Sequence, residues 1–119
     1  MKEILLQRGQ VYFAHLGVAL GSEQGGTRPV LVVQNNKGNC HSPTVVVVPI
    51  TSQIKAPLPT HVKLTKVPRL IPTSCALVEQ IRTIDRGRLS TYLGKVPPFL
   101  MLKINEALRV SMGLDPEYN

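Results

Sequence analysis

Thr44-Val45-Val46-Val47-Val48-Pro49-Ile50 is the stretch on which the reading of the fold turns. Four consecutive valines branch at Cβ, which restricts their rotamers in a helix and suits the pleated surface of a sheet. The stretch therefore predicts a strand. Pro49 has no N–H to give to a ladder, so it marks a strand end, a bulge or an edge.

Working outward toward the N-terminus, Pro29 to Gln34 (PVLVVQ) is an apolar run of the kind found in buried strands. Asn35 to Pro43 between the two runs is polar, contains Gly38 and suits a turn. Gln10 to Leu16 (QVYFAHL) reads as another strand. Gly17 to Thr27 carries four glycines and reads as a mobile loop. Toward the C-terminus, Lys55 to Thr60 holds two prolines and reads as a loop, and His61 to Leu64 as a short strand. Cys75 to Ile84 (CALVEQIRTI) predicts a further strand, and Arg88 to Val96 contains one more.

Only Pro98 to Met112 has helical periodicity. Leu100, Met101, Ile104, Ala107, Leu108 and Ser111 recur at three- and four-residue spacings and form one largely apolar stripe. Pro97 and Pro98 suit its entrance, and Gly113 suits its exit. Short strands followed by one terminal helix predict a mainly β protein, a small antiparallel barrel capped by that helix.

The chain has 119 residues, 43% hydrophobic and 18% charged, which fits one globular domain over 1–119 and gives no reason to expect disorder. Fourteen Lys and Arg against seven Asp and Glu leave a formal charge of +7. Such a surface draws nucleic acid, an acidic protein or an anionic membrane, although a merely soluble cationic surface has the same composition. Cys40 and Cys75 are too few for a disulfide framework or a cysteine-rich zinc site. The apolar stretch at Ile4-Leu5-Leu6 is too short for a signal peptide, and no run reaches the ~20 apolar residues of a membrane helix. A cytoplasmic protein with reduced thiols, no membrane partner and no cofactor is expected.

Chemistry gathers in Gly21-Ser22-Glu23-Gln24-Gly25-Gly26-Thr27-Arg28-Pro29-Val30. This segment puts an arginine where a glycine-rich loop enters a buried strand. Gly25 and Gly26 allow close backbone approach, while Pro29 and the strand hold the base of Arg28. A guanidinium offers a planar fork of donors that fits phosphate oxygens and stays charged at any working pH. A turn with a solvated arginine has the same local pattern. Thr51, Ser52 and Gln53 follow the valine run and present hydroxyl and amide groups to phosphate or base edges, or simply cap a turn. From Glu79 to Asp85 polar and apolar residues alternate. One face of that strand then lines a groove, or carries only a cross-strand ion pair.

Together these segments resemble the MazF/PemK toxins, the mRNA interferases. The resemblance runs from Arg8-Gly9-Gln10-Val11-Tyr12 to Ser111-Met112-Gly113-Leu114. Its parts stand in family order: GSEQGGTRPVLVVQN, SPTVVVVPIT, LPTHV, LVEQIRTID and the terminal helix. The resemblance implies an SH3-like β-barrel with a C-terminal helix, paired as a homodimer with an RNA groove across it. It implies a sequence-specific endoribonuclease acting on single-stranded RNA, and a cognate MazE-like antitoxin whose acidic, largely disordered end blocks that groove. RNA and antitoxin would then compete for one basic surface.

Metal-independent cleavage uses the RNA 2′-hydroxyl as nucleophile and leaves a 2′,3′-cyclic phosphate and a 5′-hydroxyl. By the resemblance, Arg28 matches the catalytic arginine and Thr51 the catalytic threonine. Arg28 would stabilise the phosphorane charge or protonate the leaving oxygen, and Thr51 would hold a non-bridging oxygen. Glu23 and Glu79 are base candidates by position, but a carboxylate beside Arg28 is a weakened base. The PemK branch carries an arginine and an aspartate where this chain has Leu77 and Glu79, so that branch's catalytic set is not available here. Substrate binding is expected from Glu23, Gln24, Gly25, Gly26 and Thr27 in the loop, from Ser52, Gln53 and Leu58, and from Glu79 and Gln80.

His15 and His61 lie in strand patterns and are assigned structural or surface roles, and His41 stands beside Cys40 with no second ligand pair spaced for a metal. Two other readings compete. The CcdB toxins share this fold and poison gyrase by protein contact, using a tryptophan near the C-terminus. This chain has no Trp and ends Pro116-Glu117-Tyr118-Asn119. The second is a passive RNA-binding barrel, in which Arg28 and Thr51 are incidental.

Overall fold

The valine run is buried on both of its faces. Val45 and Val47 join a cluster with Tyr12, Ala14, Val30, Val32 and Ile84, while Val48 and Ile50 join a second with Leu31, Val33, Val62 and Ala76. Alternate residues of a strand point to opposite faces, so an unbroken apolar run is what a twice-covered strand requires. Fully burying a valine contributes about 1.5–3 kcal/mol, and Val45, Val47 and Val48 are completely inaccessible.

The computed structural model describes residues 5–53 and 56–114. Its strands are β1 (Gln10–His15), β2 (Thr27–Val32), β3 (Thr44–Thr51), β4 (His61–Lys63), β5 (Cys75–Leu77), β6 (Arg82–Asp85) and β7 (Leu89–Lys95). The helices are α1 (Asn36–His41) and α2 (Pro98–Ser111). All strand pairings are antiparallel, in the order β4-β5-β3-β2-β1-β7, with β6 also on β3. Among the described residues no pairing joins the end strands β4 and β7, so the barrel-like sheet is open there. Irregularities between β1 and β7 at Val11/Tyr12 and Tyr12/Ala14 add the local twist that bulges give a sheet.

Pro49 stands where β3 changes partner. Residues 44–47 pair with β6, and Ile50 and Thr51 pair with β5. The Val46 carbonyl faces β2, where it accepts from Val33 and Gln34. Three residues on, Pro49 turns its nitrogen the opposite way, into the gap between β6 and β5. The missing N–H is lost where no strand needs it.

Two expectations are corrected. Asn35 to Pro43 is not a plain turn but contains α1, because the Asn35 side chain accepts from the Gly38 N–H at 2.8 Å and caps the helix. Arg86 closes the other end, donating through Nη1 to the carbonyls of Asn39 and Ser42. Cys75 to Ile84 is not one strand. A 3-10 turn at Val78–Gln80 separates β5 from β6, buries Val78 and leaves Glu79 exposed, so the alternation from Glu79 to Asp85 is not that of a single strand. β5 and β6 are thereby free to meet β3 at different levels.

α2 buries Leu100, Ile104 and Ala107 against the second cluster, with Met101 and Leu108 half-buried beside them, as the spacing predicts. It ends with Gly113 at φ 70, whose N–H bonds Val110, while Leu114 N–H bonds Arg109. These two bonds form a Schellman cap. Arg8 fastens the N-terminal approach, donating from Nε to the Val33 carbonyl (2.8 Å) and from Nη2 to Asn105 of α2 (2.6 Å). Burial lowers the Arg8 pKa from its ordinary value. Lys55 of the expected loop and the tail at 115–119 lie outside the described residues.

Candidate functional site

β2 and β3 pair Val30 with Pro49, Leu31 with Val48 and Val32 with Val47. Continuing that register by two residues sets Arg28, near the start of β2, across from Thr51, at the end of β3. Residues directly opposite share a face of the sheet. Both side chains line one open cavity of about 580 Å³, with Phe13, Gln24, Thr27, Ser52 and Gln53.

The loop of residues 16–26 fixes Arg28. It closes through Leu16 N–H to Gly26 O (2.8 Å) and Gly26 N–H to Gly17 O (2.7 Å). Arg28 Nε donates to the Gly25 carbonyl at 2.9 Å, leaving its Nη groups directed by that anchor. Gly26 has φ +69, and a Cβ on Gly25 would stand 2.7 Å from the Ala19 nitrogen and 2.8 Å from the Gly17 oxygen. The loop reaches this closed form only with glycine at these two positions. Gly25 and Gly26 therefore shape the site rather than line it. Thr27 does line it, and its Oγ1 lies 3.2 Å from His15 Nδ1. Thr51 Oγ1 accepts from the Gln53 N–H at 3.2 Å, and the Ser52 carbonyl accepts from the Thr73 hydroxyl at 3.3 Å.

Glu23, Glu79 and Gln80 do not line this cavity. They line a neighbouring one of about 520 Å³, with Ser22, Gln24, Ile81 and Arg82; Gln24 is common to both. The Gln24 N–H donates to Gln80 Oε1 (2.9 Å) and Gln80 Nε2 donates to the Ser22 carbonyl (3.1 Å), which ties the loop to the 3-10 turn. Glu23 Oε1 accepts from the Leu20 N–H.

Both Glu79 oxygens are engaged. Oε1 accepts from the Thr60 hydroxyl at 2.9 Å, and Oε2 lies 3.0 Å from His61 Nε2. His61 Nδ1 accepts from the Leu58 N–H at 3.1 Å, so the ring proton is on Nε2 and points at Glu79. The imidazole thus works as a brace between Leu58 and Glu79. Leu58 itself is half exposed and lines neither cavity.

One part of the cavity lining was not legible in the sequence. It is Arg69, Leu70 and Ile71, from the segment between β4 and β5. Among the described residues, the cavity lining holds two arginines and no carboxylate or imidazole. The only hint in the sequence is an arginine between Pro68 and Pro72. Among the described residues no three His, Cys, Asp or Glu side chains are grouped to hold a metal, and no helix is long and apolar enough to cross a membrane.

Comparison with known proteins finds relatives over nearly the whole chain. The sequence pattern of the PemK-like, MazF-like toxins of type II toxin–antitoxin systems matches residues 7–112. The endoribonuclease EndoA of Bacillus subtilis is 50% identical over 113 residues, 93% of this chain and 97% of that protein. The endoribonuclease MazF of Staphylococcus saprophyticus is 46% identical over 112 residues, 92% of this chain and 93% of that one. A mycobacterial endoribonuclease solved in complex with its cognate antitoxin superposes with a TM-score of 0.79 at 36% identity, covering 92% of this chain and 97% of its own. MazF of Deinococcus radiodurans shares the fold, with a TM-score of 0.80 at 24% identity over 93% of this chain and 99% of its own.

Proposed function

The chain belongs to the family of PemK-like, MazF-like toxins of type II toxin–antitoxin systems, and from that and its cavity we propose that it is an endoribonuclease that cuts single-stranded RNA at short defined sequences without a metal ion. The observation that carries this reading is the cross-strand placement of Arg28 and Thr51 in one cavity walled by cations and free, among the described residues, of carboxylates. Such a lining favours an anion whose charge grows in the transition state.

In the proposed reaction the RNA 2′-oxygen attacks the adjacent phosphorus and the P–O5′ bond breaks. The 2′ proton leaves to water, and the departing O5′ takes a proton from water in the open cavity. Arg28 neutralises the extra negative charge on the phosphorane, and Thr51 donates to a non-bridging oxygen. Gln24, Thr27, Ser52 and Gln53 hold the strand, while Glu23, Glu79 and Gln80 border the adjoining cavity where neighbouring bases are read by their edges. Leu58 acts from outside both cavities, as an exposed apolar contact.

A homodimer presenting this surface across its interface would bind an acidic, MazE-like antitoxin segment in competition with RNA, as the +7 charge favours. The test is incubation with single-stranded RNA in excess EDTA. Cutting at defined sites, with 2′,3′-cyclic phosphate and 5′-hydroxyl ends, is expected. Binding without cutting would favour the passive barrel instead, and cutting that stops in EDTA would contradict the metal-free route.

A further inference from the structure

We propose that Arg69 is a second phosphate-binding residue, holding an RNA phosphate other than the one being cut. The inference rests on the RNA-cleaving reading of the cavity. Arg69 lines the same cavity as Arg28 and Thr51, from the segment that joins β4 to β5.

That segment is held to one shape. Leu64 N–H bonds the Ser74 carbonyl at 2.9 Å and closes it. Two turns follow inside, Leu70 N–H to Val67 O (3.0 Å) and Ser74 N–H to Ile71 O (2.9 Å). Val67 is buried and Leu70 packs on the same core, so residue 69 is pinned on both sides. Lys66 in the same segment has φ 74, the one positive value among the described non-glycine residues. A strained backbone persists only where its surroundings dictate the conformation.

The guanidinium is aimed as well as anchored. Arg69 Nη1 donates to the Tyr92 carbonyl of β7 at 2.8 Å, while the residue as a whole is exposed. An arginine carries five N–H donors, so most of the fork remains for an anion. The strand order then sets the spacing. Arg28 stands on β2 and the anchor of Arg69 on β7, with β1 between them. Two inter-strand steps put about 10 Å between those backbones, and each guanidinium is tethered on its own side, Arg28 to the Gly25 carbonyl and Arg69 to the Tyr92 carbonyl, which favours two phosphates over one. Phe13 of β1 lines the cavity between the two. Two guanidinium anchors on either side of an aromatic residue fit two different phosphates of one strand with a base between them.

The test uses a labelled 2′-O-methyl RNA carrying the cleavage site, which binds without being cut, and follows anisotropy across salt concentration. Arg69→Gln is expected to weaken binding about tenfold and to lower the salt slope by about 0.7, the value of one phosphate contact on a single strand. Turnover at saturating RNA stays within a few-fold of wild type, so the loss appears in KM. Replacing single phosphates by neutral methylphosphonates should find one flanking position where wild type loses the same factor and Arg69→Gln loses nothing more. Unchanged affinity and slope in Arg69→Gln would overturn the inference, as would a fall in turnover with KM kept. The binding measurement reads Arg69 whether or not RNA is cut, so a wild-type protein that binds and never cuts would fail the nuclease reading alone.

Discussion

Arg28 and Thr51 line one cavity, and the β2–β3 register that pairs Val32 with Val47 and Val30 with Pro49, carried two residues further, sets them across from each other. The chemistry of the site is thus set by the same valine pairing that fills the core. A one-residue slip in that pairing would put the two side chains on opposite faces of the sheet.

Thr51 is expected to act through its hydroxyl. Thr51→Val keeps the branched shape at the strand end and removes the donor. Its turnover should fall about 100-fold, the usual effect of losing one transition-state donor. Its stability should fall by about 1 kcal/mol, because the hydroxyl otherwise only accepts from the Gln53 N–H in an exposed turn. Thr51→Ser should recover most of the turnover. Kinetics and thermal melting on the same samples decide this, and equal losses in both variants would remove Thr51 from the reaction.

Gly25 controls Arg28 through the carbonyl that its Nε grips. In Gly25→Ala the new methyl meets backbone atoms of Ala19 and Gly17 at 2.7–2.8 Å, which cannot yield as a side-chain tip would. The loop must open, at about 1–3 kcal/mol by the cost of overpacking. Both kcat and KM should worsen, and a variant with wild-type kinetics would show that the closed loop is not the working form.

The framework was readable because its signals are local and redundant. The valine run, the helical stripe and Gly113 each name their element from neighbours in sequence. α1 was missed because its cause is one side-chain cap, Asn35 on Gly38, in a segment whose composition favours a turn. The break at Val78–Gln80 was missed because CALVEQIRTI has no glycine or proline to mark it; the division follows from which part of β3 each half meets. Arg28 and Thr51 came from family resemblance, and their alignment needs a register that no single segment encodes. Arg69 has only its place between Pro68 and Pro72 as a local signal, because its share in the cavity of Arg28 is made by a loop packing across the sheet.

The pH dependence of cleavage follows from the lining. With no carboxylate or imidazole on the cavity wall among the described residues, the rate should rise steadily with pH between about 5 and 8 as the 2′-hydroxyl loses its proton more easily, without the bell shape of an acid–base pair. His15 adjoins the cavity through Thr27. A bell-shaped profile that becomes monotonic in His15→Gln would contradict this and give the base to His15.

Stability should fall at alkaline pH. Burial raises the pKa of Cys75 above its ordinary 9.0, with Glu79 adding to the shift. Burial and then Tyr92 raise that of Tyr12 above 10.0, against the pull of Arg86. Both groups are held neutral by the fold, so their contribution is complete below the unfolded values and is lost as pH rises through the folded ones. The melting temperature should decline above about pH 9, and less steeply in Tyr12→Phe with Cys75→Ala. Exposed Cys40 should react with a thiol reagent in the native protein well before buried Cys75.

Arg28→Ala in single-turnover cleavage at saturating protein tests the account most directly, since Arg28 is half exposed and its side chain holds only the Gly25 carbonyl. The account predicts a cleavage step slower by about 10²–10³-fold, with the melting temperature kept and a 2′-deoxy analogue of the site still bound. Cleavage at the wild-type rate in that variant would contradict it.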